Sequence, residues 1–296
     1  MIMRILNFGS LNIDYVYRVD TFVKPGETRA AHSLSKFAGG KGLNQSLAMA
    51  RAGLAVFHAG RIGPEGTFLV ETLRRGNVDT TLVEQIDTPT GHAIIQVDDS
   101  GQNCILLFGG ANQNIDEPFA DRVIGHFAPG DLCILQNEIS CLDGIMRKAH
   151  AAGMRIALNP SPFTGKLLEC PLEMVDIFIM NEIEAGEISG ENDPARAAQA
   201  MSTQYPGATI VITLGEEGSL CMQNGAAVRQ KAYRVKAVDT TAAGDTFMGY
   251  FIAGIAEGMD IAGSLDLASK ASAICVTRPG ASNSVPFRQE IASFAG

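Results

Sequence analysis

The sequence predicts an α/β fold: a three-layer α/β/α sandwich with a mainly parallel central sheet and a small antiparallel β lid. Three observations carry this. Short continuous apolar runs alternate with amphipathic stretches along the 296 residues. Strands apolar on both faces belong to parallel sheets covered by helices on both sides. Two regions break that rhythm. Tyr15–Val19 with Ser33–Phe37, and His92–Val97 with Cys104–Phe108, are short and set apart, the last two flanking the hairpin turn Asp98-Asp99-Ser100-Gly101. Finally, no linker, repeat or low-complexity tract divides the chain. It therefore reads as one domain over residues 1–296, with a lid built from segments near 14–38 and 92–110.

Taken in order, Arg4–Phe8 reads as a buried strand ended by the Gly9-Ser10 turn. Leu43–Gly53 reads as a helix stopped by Gly53, Ala55–Ala59 as a strand and Thr67–Arg75 as a helix. Asp131–Gln136 is a strand, Leu142–Ala152 a helix and Arg155–Leu158 a strand. Val175–Met180 is a strand, Glu182–Ile188 a helix and Thr209–Thr213 a strand. Two apolar helices, Gly244–Glu257 and Ala262–Thr277, close the pattern.

With 23 Lys+Arg against 32 Asp+Glu, the formal net charge is −9. That argues against a sequence-independent hold on nucleic acid and against docking on anionic lipid. It does not exclude an anionic substrate, because a local cradle of backbone N–H groups overrides global charge. No apolar run approaches the ~20 residues of a spanning helix. The start, Met1 to Phe8, lacks the apolar core and cleavage site of a signal peptide. The six cysteines (104, 133, 141, 170, 221, 275) are scattered and read as buried free thiols of a cytoplasmic protein. The five histidines show no metal-ligand spacing, and Asn44-Gln45-Ser46 is a glycosylation sequon without meaning in a cytoplasmic chain.

The strongest chemical signal is Asp239-Thr-Thr-Ala-Ala-Gly-Asp245-Thr-Phe, which follows a polar strand and opens an apolar helix. Small residues at Ala242, Ala243 and Gly244 let backbone approach a ligand, and the N–H groups of the helix start point at any anion. Asp245 sits at the same positive end. An anion cradle beside a carboxylate is what phosphoryl transfer to an alcohol needs, since the cradle takes charge and the carboxylate takes the proton. A helix cap would use Asp245 equally well. The second signal, Gly39-Gly40-Lys41-Gly42-Leu43-Asn44, precedes a helix and suits a polyhydroxyl ligand or phosphate, or simply a tight turn. It is not a Walker A loop: Ser35 and Gly42 occupy the positions that need Gly and Ser or Thr. No dinucleotide glycine fingerprint is present either.

Polar residues also follow predicted strands, where open α/β sheets bind ligands. These are Gly9-Ser10-Leu11-Asn12-Ile13-Asp14, Gln136-Asn137-Glu138, Asn181-Glu182-Ile183-Glu184 and the glycine turn Thr213-Leu-Gly215-Glu-Glu-Gly218. Asp14 can accept two sugar hydroxyls. A carboxylate in the Asn181–Glu184 stretch suits Mg²⁺ held through water. The turn after Thr213 offers room for a nucleotide.

In this order, the motifs resemble those of the ribokinase-like (PfkB group) sugar kinase family over essentially the whole chain. Gly110-Ala111-Asn112, Asn159-Pro160 and Val276-Thr277-Arg278-x-Gly280-Ala281 strengthen the likeness. The resemblance implies that Asp245 activates a sugar hydroxyl and that Ala242, Ala243 and Gly244 form an anion hole. It implies a sugar pocket of Asn12, Asp14, Gly40, Lys41, Asn44 and Glu138. Asn181 and Glu184 would organise Mg²⁺ and phosphate waters. Thr213, Gly215 and Gly218 would frame ATP. Ser269 stands where relatives commonly carry His near the adenine. Asp239, Thr241, Cys275, Gly280 and Ser284 match a K⁺ site. Pro64-Glu65 departs from a common Gly-Asp pair. The activity implied is ATP-dependent phosphorylation of the C5 hydroxyl of D-ribose, with 2-deoxyribose, a ketohexose or a nucleoside as alternative substrates. A non-catalytic sugar or nucleotide sensor is the other class. A homodimer through the lid is implied as well.

Overall fold

The computed structural model describes residues 3–294. Met1 and Ile2, part of the start read above for a signal peptide, lie outside them. The main sheet runs in the order β13 (Ala226–Gln230), β12 (Ser219–Gln223), β11 (Thr209–Thr213), β10 (Ile177–Asn181), β9 (Arg155–Asn159), β8 (Leu132–Gln136), β1 (Ile5–Phe8), β4 (Val56–Ile62) and β5 (Asp79–Gln85). Neighbours from β11 through to β5 are parallel, and only the β11–β12–β13 edge is antiparallel.

Side chains of the central strands alternate between two cores, as the period of two requires. On one face Leu6, Phe8, Cys133, Leu135, Ile156 and Leu158 meet α3 (Glu117–Ile124), α4 (Leu142–Ala151), α5 (Glu182–Ser189) and α6 (Pro194–Gln204). On the other face Ile5, Leu132, Ile134, Ala157 and Ile179 meet α1 (Lys41–Arg51), α2 (Thr67–Arg75), α7 (Ala243–Ala256) and α8 (Ile261–Val276). A short α9 (Arg288–Ala292) follows. The three-layer expectation therefore holds.

A second sheet has the order β3 (Ser33–Gly39), β2 (Asn12–Arg18), β6 (Gly91–Val97) and β7 (Asn103–Phe108). Its outer pairs are antiparallel, as expected, but its central pair β2–β6 is parallel. The reason is connectivity: β2 and β6 both leave the main sheet in the same direction, and each returns through its own hairpin partner.

Other departures have local causes. α1 begins at Lys41 rather than Leu43, because Gly40 at φ 96 is already its cap. Residues 231–242 form no strand before Asp239. β13 is the sheet edge, and the chain instead docks on the end of α8, with Val238 N–H donating to Val276 O at 2.8 Å. Patterning passed over α3 and α6, although both carry Asp caps followed by Pro in the first turn, Asp116 and Asp193. It also passed over the β12–β13 hairpin, whose Asn224 and Gly225 both have positive φ, 49 and 76. All six cysteines are free, but Cys104 is exposed and Cys141 and Cys170 are half-buried.

One contact places the site. α7 is apolar all round and lies against α1, and a Cβ on Gly249 would fall 2.4 Å from Ala48 Cβ and 2.9 Å from Met49 N. Only glycine allows this approach. Gly249→Ala should lower unfolding free energy by about 1–3 kcal/mol, the usual cost of overpacking, read from urea denaturation midpoints.

Candidate active site

The carboxyl ends of β1, β8, β9, β10 and β11 empty into one crevice, as expected for an open α/β sheet. A cleft of about 200 Å³ lies there, lined among others by Lys41, Asn159, Asn181, Glu184 and Asp245. A larger groove of about 610 Å³ adjoins it. The two share Thr213, Thr240, Ala243 and Gly244 as a common wall.

Asp245 sits in the first turn of α7 but caps nothing there. Its carboxylate instead faces α1. Asn44 Nδ2 donates to Oδ2 at 3.0 Å and Gln45 Nε2 donates to Oδ1 at 2.9 Å. The cap of α7 is Ala242, held in the left-handed region at φ 61, a costly conformation for a residue with a Cβ. Ala243 N–H donates to Thr240 O at 3.2 Å. The N–H groups of Gly244 and Asp245 have no protein acceptor among the described residues. A Cβ on Gly244 would meet nothing within 4 Å, so this turn is open on its ligand side.

Polar residues gather on the other side of Lys41. Glu138 Oε2 accepts from Ser10 Oγ and, at 3.1 Å, from Lys41 N–H. Burial pushes the Glu138 carboxyl up, and Asp245 adds to this while Lys41 and Ser10 pull the other way. Burial works against the Lys41 ammonium, but the Asp245, Glu138 and Glu184 carboxylates outweigh it and hold its pKa above the usual lysine value.

Asp14 occupies a row across the small sheet, Phe37–Asp14–Ala93–Leu107, in which its paired neighbours are apolar. Its carboxylate lies over Gly39, where a Cβ would fall 2.1 Å from Oδ2. Burial first, and Glu138 second, raise its pKa from 3.8 to about 7. Asn12 is oriented by Asn112, whose Nδ2 donates to Asn12 Oδ1 at 2.7 Å, leaving the Asn12 amide N–H groups for other partners. Gly40 packs on the Ser10–Asn12 backbone. The Asn44 Oδ1 atom is buried without a protein partner among the described residues.

The larger groove is bordered by Thr213, Gly215, Gly218 and Ser269, with Val235 and Val276 among its apolar contacts. Gly218, at φ 103, lies so close to β13 that a Cβ would fall 2.0 Å from Gln230 O. Asn181 and Glu184 lock each other in a capping box at the start of α5: Glu184 N–H donates to Asn181 Oδ1 at 2.8 Å and Asn181 N–H to Glu184 Oε2 at 3.1 Å. Both nonetheless line the smaller cleft.

Behind the α7 turn, two loops are laced together. Asp239 accepts from Thr241 N–H at 2.9 Å and Thr241 Oγ1 at 2.6 Å, and its other oxygen accepts from Gly280 N–H at 2.9 Å. Cys275 Sγ lies 3.1 Å from Ser284 Oγ and 3.8 Å from Thr241 O. Burial pushes the Cys275 thiol up, against the pull of Ser284 and Thr246. Pro64-Glu65 sits at the root of the small sheet, where Glu65 Oε1 accepts from Thr90 N–H at 2.6 Å.

Of the residues read from the sequence, Lys41, Asn181, Glu184, Thr213, Ala242, Ala243, Gly244 and Asp245 line the smaller cleft and Gly215, Gly218 and Ser269 the larger groove, whereas Asn12, Asp14, Gly40, Asn44 and Glu138, and the Asp239, Thr241, Cys275, Gly280 and Ser284 set, line neither. Asn159, Ser161 and Thr240 line the smaller cleft without having been singled out as site residues. Gln45 was passed over as part of a sequon. The signal was its type: three consecutive polar residues, Asn44-Gln45-Ser46, lie between Leu43 and Leu47, and all five are buried.

An open helix start with unpaired N–H groups, a carboxylate aimed by amides, a nearby cluster of polar side chains and an adjoining groove with apolar contacts suit a small-molecule kinase. The sequence matches the pfkB family carbohydrate kinases over residues 3–288, and the chain belongs to that family. It is similar to the ribokinase of Haemophilus influenzae, 35% identical over 97% of this chain and 96% of that one. The solved ribokinase of Thermotoga maritima superposes with a TM-score of 0.89 at 31% identity, covering 99% of each chain. The ribokinase of Arabidopsis thaliana, solved with ribose and ATP, gives 0.85 at 27% identity over 99% of this chain and 98% of that one.

Asp14 makes one solution property pH-dependent. Its folded pKa of about 7 lies above the unfolded value near 3.8, so the folded state holds the proton longer. The unfolded state then binds fewer protons across that window, and the contribution of Asp14 to stability falls as pH rises through it. The unfolding free energy of Asp14→Asn relative to the parent should therefore shift in the variant's favour between about pH 4 and pH 7 and level off above. Urea denaturation at a series of pH values measures the gap, and a gap constant with pH would show that Asp14 titrates normally.

Proposed function

We propose that the protein transfers the γ-phosphoryl group of ATP to the C5 hydroxyl of D-ribose, giving D-ribose 5-phosphate and ADP. One observation carries the reading: the Asp245 carboxylate lies in the smaller cleft beside the wall it shares with the larger groove, at the open first turn of α7. Ribose in the polar pocket and ATP in the groove bring the attacking oxygen and the γ-phosphorus together at that wall. The names of the relatives, and the ribose and ATP bound to the Arabidopsis protein, support the choice of substrates.

In this mechanism Asp14 accepts sugar hydroxyls, the Asn12 amide donates to one, and the unpaired Asn44 Oδ1 accepts another. Asp245 takes the proton of the C5 hydroxyl as that oxygen bonds to phosphorus and the bond to the ADP oxygen breaks. The N–H groups at the α7 start and the Lys41 ammonium stabilise charge on the transferring group. Glu184, a buried carboxylate at the cleft, would hold Mg²⁺ through water, and the ion would neutralise phosphate charge. Backbone oxygens around Asp239, Thr241, Cys275, Gly280 and Ser284 would hold K⁺ and stiffen the strained turn at Ala242. The small sheet acts as a lid that keeps water from the phosphoryl group.

The test is ADP release with Mg²⁺-ATP, with and without K⁺, against ribose, 2-deoxyribose, fructose, ribulose and nucleosides. Ribose should be preferred and K⁺ should raise the rate. Asp245→Asn should keep ribose affinity in calorimetry but lose more than the ~10²–10⁴ of a general base alone, because the same carboxylate also contacts the substrate. Preference for another sugar would move the substrate. Near-normal turnover in the variant would remove Asp245 from its role.

The lid carries a second expectation. Strand β7 is an edge, exposed along its whole length, and Ile105, Leu106, Leu107 and Phe108 present apolar side chains on both faces. Such an edge pairs readily with another chain. We propose a homodimer through this sheet. Light scattering should give a dimeric mass for the parent and a monomeric one for Leu106→Lys; a monomeric parent at micromolar concentration would rule it out.

A further inference from the structure

We propose that Gln45 is a positioning residue for Asp245, fixed in one orientation by a one-way chain of hydrogen bonds through Gln136 and Asn7. The proposal rests on the kinase reading above. Gln45 is fully buried, and its amide is engaged within the protein by Asp245, Asn159 and Gln136.

The direction of the chain is set at its far end, away from Asp245. Asn7 Nδ2 donates to Gly42 O at 2.8 Å, and a carbonyl can only accept. Asn7 must therefore turn Oδ1 the other way, where it accepts from Gln136 Nε2 at 2.8 Å. The same Nε2 donates to Gln45 Oε1 at 2.7 Å. That leaves Gln45 only one way to stand, with Nε2 donating to Asp245 Oδ1 at 2.9 Å.

A side branch agrees. Asn7 Nδ2 also donates to Ser46 Oγ at 2.8 Å, and Ser46 Oγ lies 2.8 Å from His58 Nδ1. Burial holds His58 neutral, so its Nδ1 can accept the Ser46 proton. The amide of Asn159 is set likewise: its Nδ2 donates to Ile179 O at 2.8 Å, and its Oδ1 accepts from Gln45 Nε2 at 3.5 Å. An N–H donor thus reaches Oδ1 of Asp245 whatever the state of the cleft. With Asn44 on Oδ2, the plane of the carboxylate is pinned to the first turn of α1. Without Gln45, the carboxylate keeps one tether and can turn about it.

This predicts a loss in turnover rather than in binding. Gln45→Met and Gln136→Met keep length and remove the donors. Steady-state kinetics on the sugar the parent prefers, sugar affinity by calorimetry and denaturation midpoints are measured for each, for the double variant and for Asp245→Asn. Gln45→Met should lower kcat about 10- to 100-fold, the scale of a misplaced catalytic group. KM values and sugar affinity should stay near those of the parent. Gln136→Met should lower kcat by less, and the double variant should be no worse than Gln45→Met, because Gln136 acts through Gln45. If Gln45→Met does not fold, a kcat loss at constant KM in Gln136→Met carries the proposal. Unchanged kcat in a folded Gln45→Met or Gln136→Met would overturn it. So would losses that multiply in the double variant, or that appear as raised KM following reduced stability. A parent without sugar-dependent ADP release would instead overturn the kinase reading itself.

Discussion

The site depends on two helices meeting at their first turns. α7 can lie on α1 because Gly249 has no side chain where Ala48 stands. That approach puts Asp245, near the start of one helix, within hydrogen-bond reach of Asn44 and Gln45 near the start of the other. The first amides of α1 are taken by Glu138 and Ser10, so the field there that favours an anion comes from the open start of α7 together with the Lys41 ammonium. A net charge of −9 is no obstacle to an anionic ligand under that arrangement.

Charge inside the crevice is arranged by burial. Lys41 stands among three carboxylates, Asp245, Glu138 and Glu184, which hold it charged although burial opposes this. Asp14 has no such partner. Its flanking row is apolar, and burial pushes its carboxyl toward neutrality. The same residue type thus stands in two settings: Asp14 is buried in an apolar row, and Asp245 is held by the Asn44 and Gln45 amides.

The turn at Ala242 stores strain and is supported from behind. Asp239 ties its own loop to Gly280, and the buried side chains of Thr246, Cys275 and Ser284 join α7 to the end of α8. The backbone that would face phosphate is thus fixed by groups that never touch it.

Much of this was legible in the sequence. Continuous apolar runs required a buried parallel sheet, because a strand covered on both faces has no polar side to show. The motif around Asp245 announced an open helix start, since Ala-Ala-Gly leaves nothing to cover it. Local signals also existed for α3, α6 and the β12–β13 hairpin, in Asp116, Asp193 and Asn224-Gly225. What periodicity could not give was anything set by partners distant in the chain. The parallel pairing of β2 with β6, the polarity of the amides from Asn7 to Gln45, the apolar row around Asp14 and the joining of two clefts all require residues tens to hundreds of positions apart. The sequence by itself determined which residue types stand at each strand end and helix start, because those follow from local backbone chemistry. Only the tertiary structure decided which of them share a hydrogen bond or a low-dielectric pocket, because protonation and orientation depend on the neighbours that folding supplies.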